Sequence, residues 1–308
     1  MEAENINRIL IIGGGSMGQQ IATQFALMGC HVVIYDISED VLEKALVRIR
    51  RIAPGVAAYQ GIPEADVRTV MERITTTTIP EDAAVGIDLV SESIPEDPVL
   101  KGKIFALFHT LCPPQAIFTT NASTLLPSMI APATGRPEKF IALHFHDIRI
   151  STVVDIMPHD GTSLDTIALV KAFADRMGLV SIVLKRESPG YVFNYMLMAW
   201  FRAAQTIAAR GIAPPEDVDR AWMGVTGNPV GPFGMMDSIG LDTIWKVTAY
   251  WADITQEREL LENAAFLKSY VDRGTLGQKT GRGIYTYPKP IFTQAGFVSG
   301  RIPKNTDE

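Results

Sequence analysis

Residues 9–36, ILIIGGGSMGQQIATQFALMGCHVVIYD, decide the fold. Ile9 to Ile12 is an unbroken apolar run, as expected of a strand buried on both faces of a parallel sheet. It leads straight into Gly13-x-Gly15-x-x-Gly18, and a helical pattern follows from Gln19 to Met28. A second strand, His31 to Tyr35, ends on Asp36. Gly13 makes the tight turn, Gly15 lets the backbone approach a pyrophosphate, and Gly18 lets the helix pack on the strand. The helix start at Ser16 and Met17 then aims free N–H groups at the phosphate. A glycine-rich turn alone would be an ordinary strand-to-helix join. With the strand, the helix and the terminal acid it reads as a dinucleotide site. The Asp36 carboxylate suits a ribose diol and repels a 2′-phosphate, and Ile37-Ser38-Glu39-Asp40 supplies no arginine to neutralise one. NAD is expected rather than NADP.

At 308 residues the chain exceeds the size at which one core stops growing, so two domains are expected. An apolar fraction of 47% with 20% charged residues is ordinary for a globular protein. The net charge of −6 argues against nucleic acid as a partner. Two cysteines, Cys30 and Cys112, make no disulfide framework. The polar start MEAENINR reads as no signal peptide, and Tyr191 to Ala204 is too short to span a bilayer. A cytoplasmic enzyme without membrane contact and without a metal site is the expectation.

After Asp36 the pattern is helical from Val41 to Ile52, broken at Ala53-Pro54-Gly55, and helical again from Pro63 to Arg73. Strands are expected at Ile74–Ile79, Ile87–Glu92, Ala116–Thr120, Phe140–His144, Thr152–Met157 and Val180–Leu184, with helices at Lys101–Leu111 and Ser163–Met177. This alternation predicts an α/β, Rossmann-like, doubly wound parallel sheet with an inserted helical pair at about 41–73. The texture changes near Glu187-Ser188-Pro189-Gly190. Helical patterns then dominate at Tyr191–Arg210, Pro215–Trp222, Leu241–Thr255 and Ala264–Arg273. Domains are expected at 1–187 and 188–308, the second all-helical.

A nicotinamide enzyme acting at a carbon–oxygen bond also needs a group to move the oxygen's proton, and histidine suits that work. Of His31, His109, His144, His146 and His159, His144 ends an apolar strand, where open α/β sheets gather their ligands. Asp155, a carboxylate among apolar neighbours on the next strand, needs a partner. Paired with His144 it would fix the tautomer. Ser123 reads either as a donor to a substrate oxygen or as a helix cap. Asn194 reads either as a second donor or as a helix–helix hydrogen bond.

Taken together, the chain resembles the 3-hydroxyacyl-CoA dehydrogenase family over almost its whole length. Gly13–Gly18 with Asp36 is similar to the family's NAD site. Ser91-Glu92-Ser93-Ile94-x-Glu96 followed by Lys101 is similar to an element whose Glu and Lys approach cofactor and substrate. Thr120-Asn121-Ala122-Ser123-Thr124 resembles its serine loop, and Leu143-His144-Phe145 its histidine strand. Ser188-Pro189-Gly190-Tyr191-Val192-Phe193-Asn194 resembles its hinge. Asn228-Pro229-Val230-Gly231-Pro232-Phe233-Gly234-Met235-Met236-Asp237 and Gly277-Gln278-Lys279-Thr280-Gly281-Arg282-Gly283-Ile284-Tyr285 complete the likeness. The resemblance implies NAD-dependent interconversion of an L-3-hydroxyacyl-CoA and its 3-keto form in fatty acid metabolism, by a homodimer paired through its helical domains. His144 would be the acid/base, supported by Asp155, with Ser123 and Asn194 on the substrate oxygen. Glu96, Lys101, Asn121 and Lys279 would border the cofactor, and Lys101 also the substrate.

The chain departs from the family after His144-Phe145, where Phe-Asn-Pro is usual and His146-Asp147-Ile148 stands here. The interval to Asp155 is one residue short, and aspartate replaces glutamate. Arg149 and His146 would suit a small anion. Lys44, Arg48 and Arg51, with Arg50 and Arg68, read either as a CoA-holding arm or as a solvated helix face. A free 3-hydroxy acid, as in gulonate- or carnitine-type dehydrogenases, is the rival substrate. An inactive NAD-binding structural protein is the non-enzymatic alternative.

Overall fold

The computed structural model describes residues 2–301. The chain divides into a first compact unit ending at Val192 and a second beginning at Phe193. In the first, eight strands form one sheet: β1 (Arg8–Ile12), β2 (His31–Tyr35), β3 (Ile74–Thr77), β4 (Leu89–Glu92), β5 (Ile117–Thr120), β6 (Phe140–Phe145), β7 (Val153–Met157) and β8 (Val180–Val183). Their spatial order is β3-β2-β1-β4-β5-β6-β7-β8. The strand order reverses between β1 and β4, the place where such sheets bind dinucleotides. Its helices are α1 (Ser16–Leu27), α2 (Glu39–Gln60), α3 (Glu64–Thr69), α4 (Pro80–Ala83), α5 (Pro98–Leu111), α6 (Pro127–Ile130) and α7 (Leu164–Arg176).

The strand alternation sorts the core into two layers. Ile9 and Ile11 join Phe25, Ile34 and Phe173 in one cluster. Leu10 and Ile12 join Phe105, Phe108 and Phe118 in another. A strand buried on both sides has no polar face, which is why β1 reads as a solid apolar run.

Three expectations need correction. The sheet is not parallel throughout, because β6 and β7 pair antiparallel. Only residues 146–152 join them, too few for the helical crossover that a parallel pair requires. The inserted helix is not broken at Ala53-Pro54-Gly55, since α2 runs through Pro54. Ile49 and Ala53 before the proline and Val56 and Ala57 after it are buried, and that packing outweighs one lost backbone hydrogen bond. The second expected helix ends at Thr69 and tightens into a 3₁₀ turn, Val70–Arg73.

The second unit contains α8 (Phe193–Ala209), α9 (Pro215–Thr226), α10 (Pro232–Ile239), α11 (Leu241–Thr255) and α12 (Arg258–Asp272). They enclose Phe201, Phe233, Met236, Leu241, Leu267 and Tyr285. The sequence reading passed over α10, whose opening Pro232 looks like a loop signal but stands at the first helical position, where proline is tolerated. Among the described residues, no helix is long and apolar enough to cross a membrane.

Candidate active site

The glycine motif is built as its chemistry requires. Gly13 has φ +104, and a Cβ there would lie 2.7 Å from the Ser93 carbonyl oxygen. A Cβ on Gly18 would come 1.9 Å from the Gly13 carbonyl oxygen, so that glycine sets the strand–helix approach. A Cβ on Gly15 would meet nothing within 4 Å. Its exposed face, together with a helix start that no side chain caps, fits a pyrophosphate. Ser16 and Met17 open α1 beside it. The Asp36 carboxylate accepts from the Gly14 N–H at 2.9 Å and from the Ser38 N–H at 3.1 Å. It therefore shapes the loop as well as offering charge.

At the end of β4 lies a buried ion pair that the sequence reading did not isolate. Glu92 is 0% exposed and Lys101 1% exposed, with Lys101 Nζ 2.5 Å from Glu92 Oε1. Thr120 and the Ile94 N–H also donate to Glu92. Burial pushes the Glu92 carboxyl up, against the pull of Lys101 and its other donors. Lys101, expected to reach cofactor and substrate, instead holds its ammonium inside the protein between Glu92 and the Ile94 carbonyl. Glu96 accepts from the N–H groups of Ser123, Thr124 and Leu125 and fixes the serine loop. Burial alone would raise its pKa, but the Thr124 hydrogen bonds and the Lys101 charge leave it lowered. Asn121 accepts from the Phe145 N–H at 2.7 Å, tying that loop to β6.

These ties bring Ser123 to His144, with Oγ 3.2 Å from Nε2. The antiparallel register sets Asp155 directly across from His144. Nδ1 of His144 lies 3.5 Å from Asp155 Oδ2. His144 is buried, and that burial holds its pKa below the ordinary histidine value against the pull of Asp155. Asp155 is 1% exposed. Burial would raise its carboxyl, but hydrogen bonds from the two histidines hold it at about 2. A neutral imidazole with Nδ1–H on Asp155 keeps a lone pair at Nε2, so it can accept a proton there.

Two partners in this cluster were missed. His146 Nε2 lies 3.1 Å from the same Asp155 oxygen. The His-x-His spacing carried only part of that signal, since His146 stands one residue past the end of β6. Tyr191 stacks on the His144 ring, with centroids 4.5 Å apart at 9°, and donates its hydroxyl to the Ala122 carbonyl. Its backbone has φ +56, which no pattern in the sequence announces. Arg149 is not the anion-binding cation expected: its backbone N–H and guanidinium close on Asp147. The Asp147 carboxyl is held low by those bonds. His109 accepts from Arg136, and His159 serves Pro137 and Gly161, so both are structural.

Asn194 stands on α8 and Lys279 on a short 3₁₀ turn of the second unit, paired there with Asp242. Lys44, Arg48 and Arg51 are exposed on α2, and Lys44 is paired with Asp40.

The chain matches two family models, the NAD binding domain of 3-hydroxyacyl-CoA dehydrogenase at residues 8–188 and its C-terminal domain at residues 190–287. A probable 3-hydroxyacyl-CoA dehydrogenase of Caenorhabditis elegans is 32% identical over 291 residues, covering 93% of this chain and 97% of the relative. Among solved structures, a diketoreductase acting on dicarbonyl compounds is 36% identical with TM-score 0.83, covering 92% of this chain and 99% of its own. The (S)-3-hydroxybutyryl-CoA dehydrogenase of Ralstonia eutropha is 30% identical with TM-score 0.82, covering 92% and 100%. The dinucleotide loop and the matches across both units agree, and the chain belongs to the NAD-dependent 3-hydroxyacyl-CoA dehydrogenase family of oxidoreductases.

Proposed function

We propose that this chain interconverts an L-3-hydroxyacyl-CoA and the corresponding 3-ketoacyl-CoA, with His144 as general acid/base. The observation that carries this reading is the chain of contacts from Ser123 Oγ through the His144 ring to Asp155. NAD, when bound, supplies the acceptor for the hydride of the carbon bearing the hydroxyl. His144 Nε2 takes the hydroxyl proton, and in the reverse direction the imidazolium returns it. Asp155 keeps Nδ1 protonated and offsets the charge that appears on the ring. Ser123, held out on its Glu96-tethered loop, donates to the substrate oxygen. Tyr191, stacked on the imidazole, limits its rotation.

The test is His144→Ala, assayed by NADH oxidation with acetoacetyl-CoA. Turnover should fall about 10²–10⁴-fold with folding intact. A variant within about twofold of the parent would remove His144 from this role. A second reading, oxidoreduction of a free 3-hydroxy acid or dicarbonyl compound, is favoured by the likeness to the diketoreductase. Acetoacetyl-CoA, free acetoacetate, gulonate and carnitine assayed side by side rank the two.

A further inference from the structure

His144 Nδ1 and His146 Nε2 lie 3.5 and 3.1 Å from the same Asp155 oxygen, and one ligand atom from each of the three residues lies within 4.8 Å of the others. We propose that these three atoms form a site for a divalent transition metal, zinc foremost, and that filling it switches the enzyme off. The sequence implies no metal site, and the third ligand comes from another strand.

The geometry is that of an open three-ligand site. The β6–β7 register sets Asp155 across from His144, and His146, one residue past the end of β6, reaches the same carboxylate oxygen. Zinc bonds to nitrogen and oxygen of about 2.0–2.1 Å in a tetrahedron put neighbouring ligand atoms roughly 3.3 Å apart. The two histidine–carboxylate separations are already 3.5 and 3.1 Å. The imidazole rings stand at 86°, centroids 4.9 Å apart, so both rings approach the same carboxylate from different directions. Two imidazoles and one carboxylate suit zinc or copper and not calcium or magnesium, which need more oxygens. His146 is 16% exposed, giving the ion a way in and a water the fourth position.

The second nitrogen of a metal-bound histidine usually donates to an oxygen, and Ser123 Oγ stands at that place for His144. That arrangement gives the site its consequence, which rests on the acid/base role proposed for His144. With metal on Nδ1, the one remaining ring proton sits on Nε2 and points at Ser123. The ring can then neither accept the hydroxyl proton nor hold the second proton that the reverse reaction delivers. Metal entry displaces the His144 Nδ1 proton, which is replaced by one on Nε2, so a neutral ring changes tautomer without net proton loss, and a proton on His146 Nε2 likewise gives way to one on Nδ1.

Full-length protein stripped with a chelator, then titrated calorimetrically with zinc chloride, should bind one equivalent per chain with high affinity. Cobalt(II) in its place should give the visible bands of four-coordinate nitrogen and oxygen ligation without thiolate. His146→Phe and His146→Gln should each weaken that binding by about 10–100-fold or more. Zinc should abolish acetoacetyl-CoA reduction by the unaltered protein, EDTA should restore it, and each variant should resist zinc relative to its own zinc-free rate. Absence of tight binding, or equal binding by both variants, overturns the site while leaving the dehydrogenase reading intact. Tight binding that His146 controls, without loss of turnover, overturns the switch and counts against His144 as the acid/base.

Discussion

At the scale of single residues, Tyr191 is the least expected member of the site. Its ring lies flat on His144 while its hydroxyl reaches the serine loop. Tyr191→Phe keeps the stack and loses one hydrogen bond, about 1 kcal/mol of stability. Tyr191→Ala also removes a ring contact of about 0.5–1.5 kcal/mol and frees the imidazole to turn. The expected order of kcat is therefore parent, then Phe, then Ala. Equal kcat in all three would show that the stack does not position His144. Asp36 makes a second residue-scale test. Asp36→Ala should narrow the preference for NAD over NADP. Asp36→Asn, which keeps an oxygen for the Gly14 N–H, separates lost charge from a disturbed loop. Unchanged discrimination in both variants would contradict the ribose assignment.

At the scale of elements, the second unit explains why its glycine-rich motifs are so demanding. Asp219 accepts from the N–H groups of Phe233 and Gly234 at the start of α10 and from the Tyr285 hydroxyl. Asp237 accepts from the N–H groups of Ile284 and Tyr285. Both carboxylates are buried, so the backbone must come in close to satisfy them. A Cβ on Gly283 would lie 2.2 Å from Asp237 Oδ1 and 2.5 Å from the Gly277 Cα. Gly283→Ala should cost about 1–3 kcal/mol in urea denaturation. An unchanged midpoint would mean that the loop gives way freely. On α2 the sign reverses. Pro54 is exposed within the helix, and Pro54→Ala restores a hydrogen-bond donor and should raise the melting temperature. A lower temperature would show that the surrounding packing needs the proline's shape.

At the scale of the whole molecule, large apolar side chains remain exposed on the second unit: Tyr195 and Met196 on α8, Val225 on α9, and Tyr250, Trp251 and Ile254 on α11, with Val225 at 88%. We propose that a second copy of the chain covers them as a homodimer. Val225→Asp should shift the sedimentation coefficient from dimer to monomer, and a parent that sediments as a monomer would end that proposal. Much of this architecture was legible because β1 to β5 obey short-range rules: apolar runs, glycine turns and helix periods. His144 was legible because it ends such a run. Its setting was less so. The antiparallel turn of β7, the sharing of Asp155 by His146 and the burial of Lys101 all depend on which strands become neighbours, and local patterns do not record that choice. Pro54 and Pro232 misled for the opposite reason, since a local breaker signal was overridden by packing in one case and by its first-turn position in the other.

The hairpin at β6–β7 has a further consequence. Because His144 and Asp155 are cross-strand partners, their meeting is set by the ladder and not by how many residues separate them along the chain. A change of length or chemistry within residues 146–152 therefore need not unpair His144 from Asp155. A slip of one residue in the ladder itself would turn the acid to the opposite side of the sheet. Sequence change can therefore gather in this turn while the ladder holds the pair together, and the unusual His146-Asp147-Ile148 lies within it.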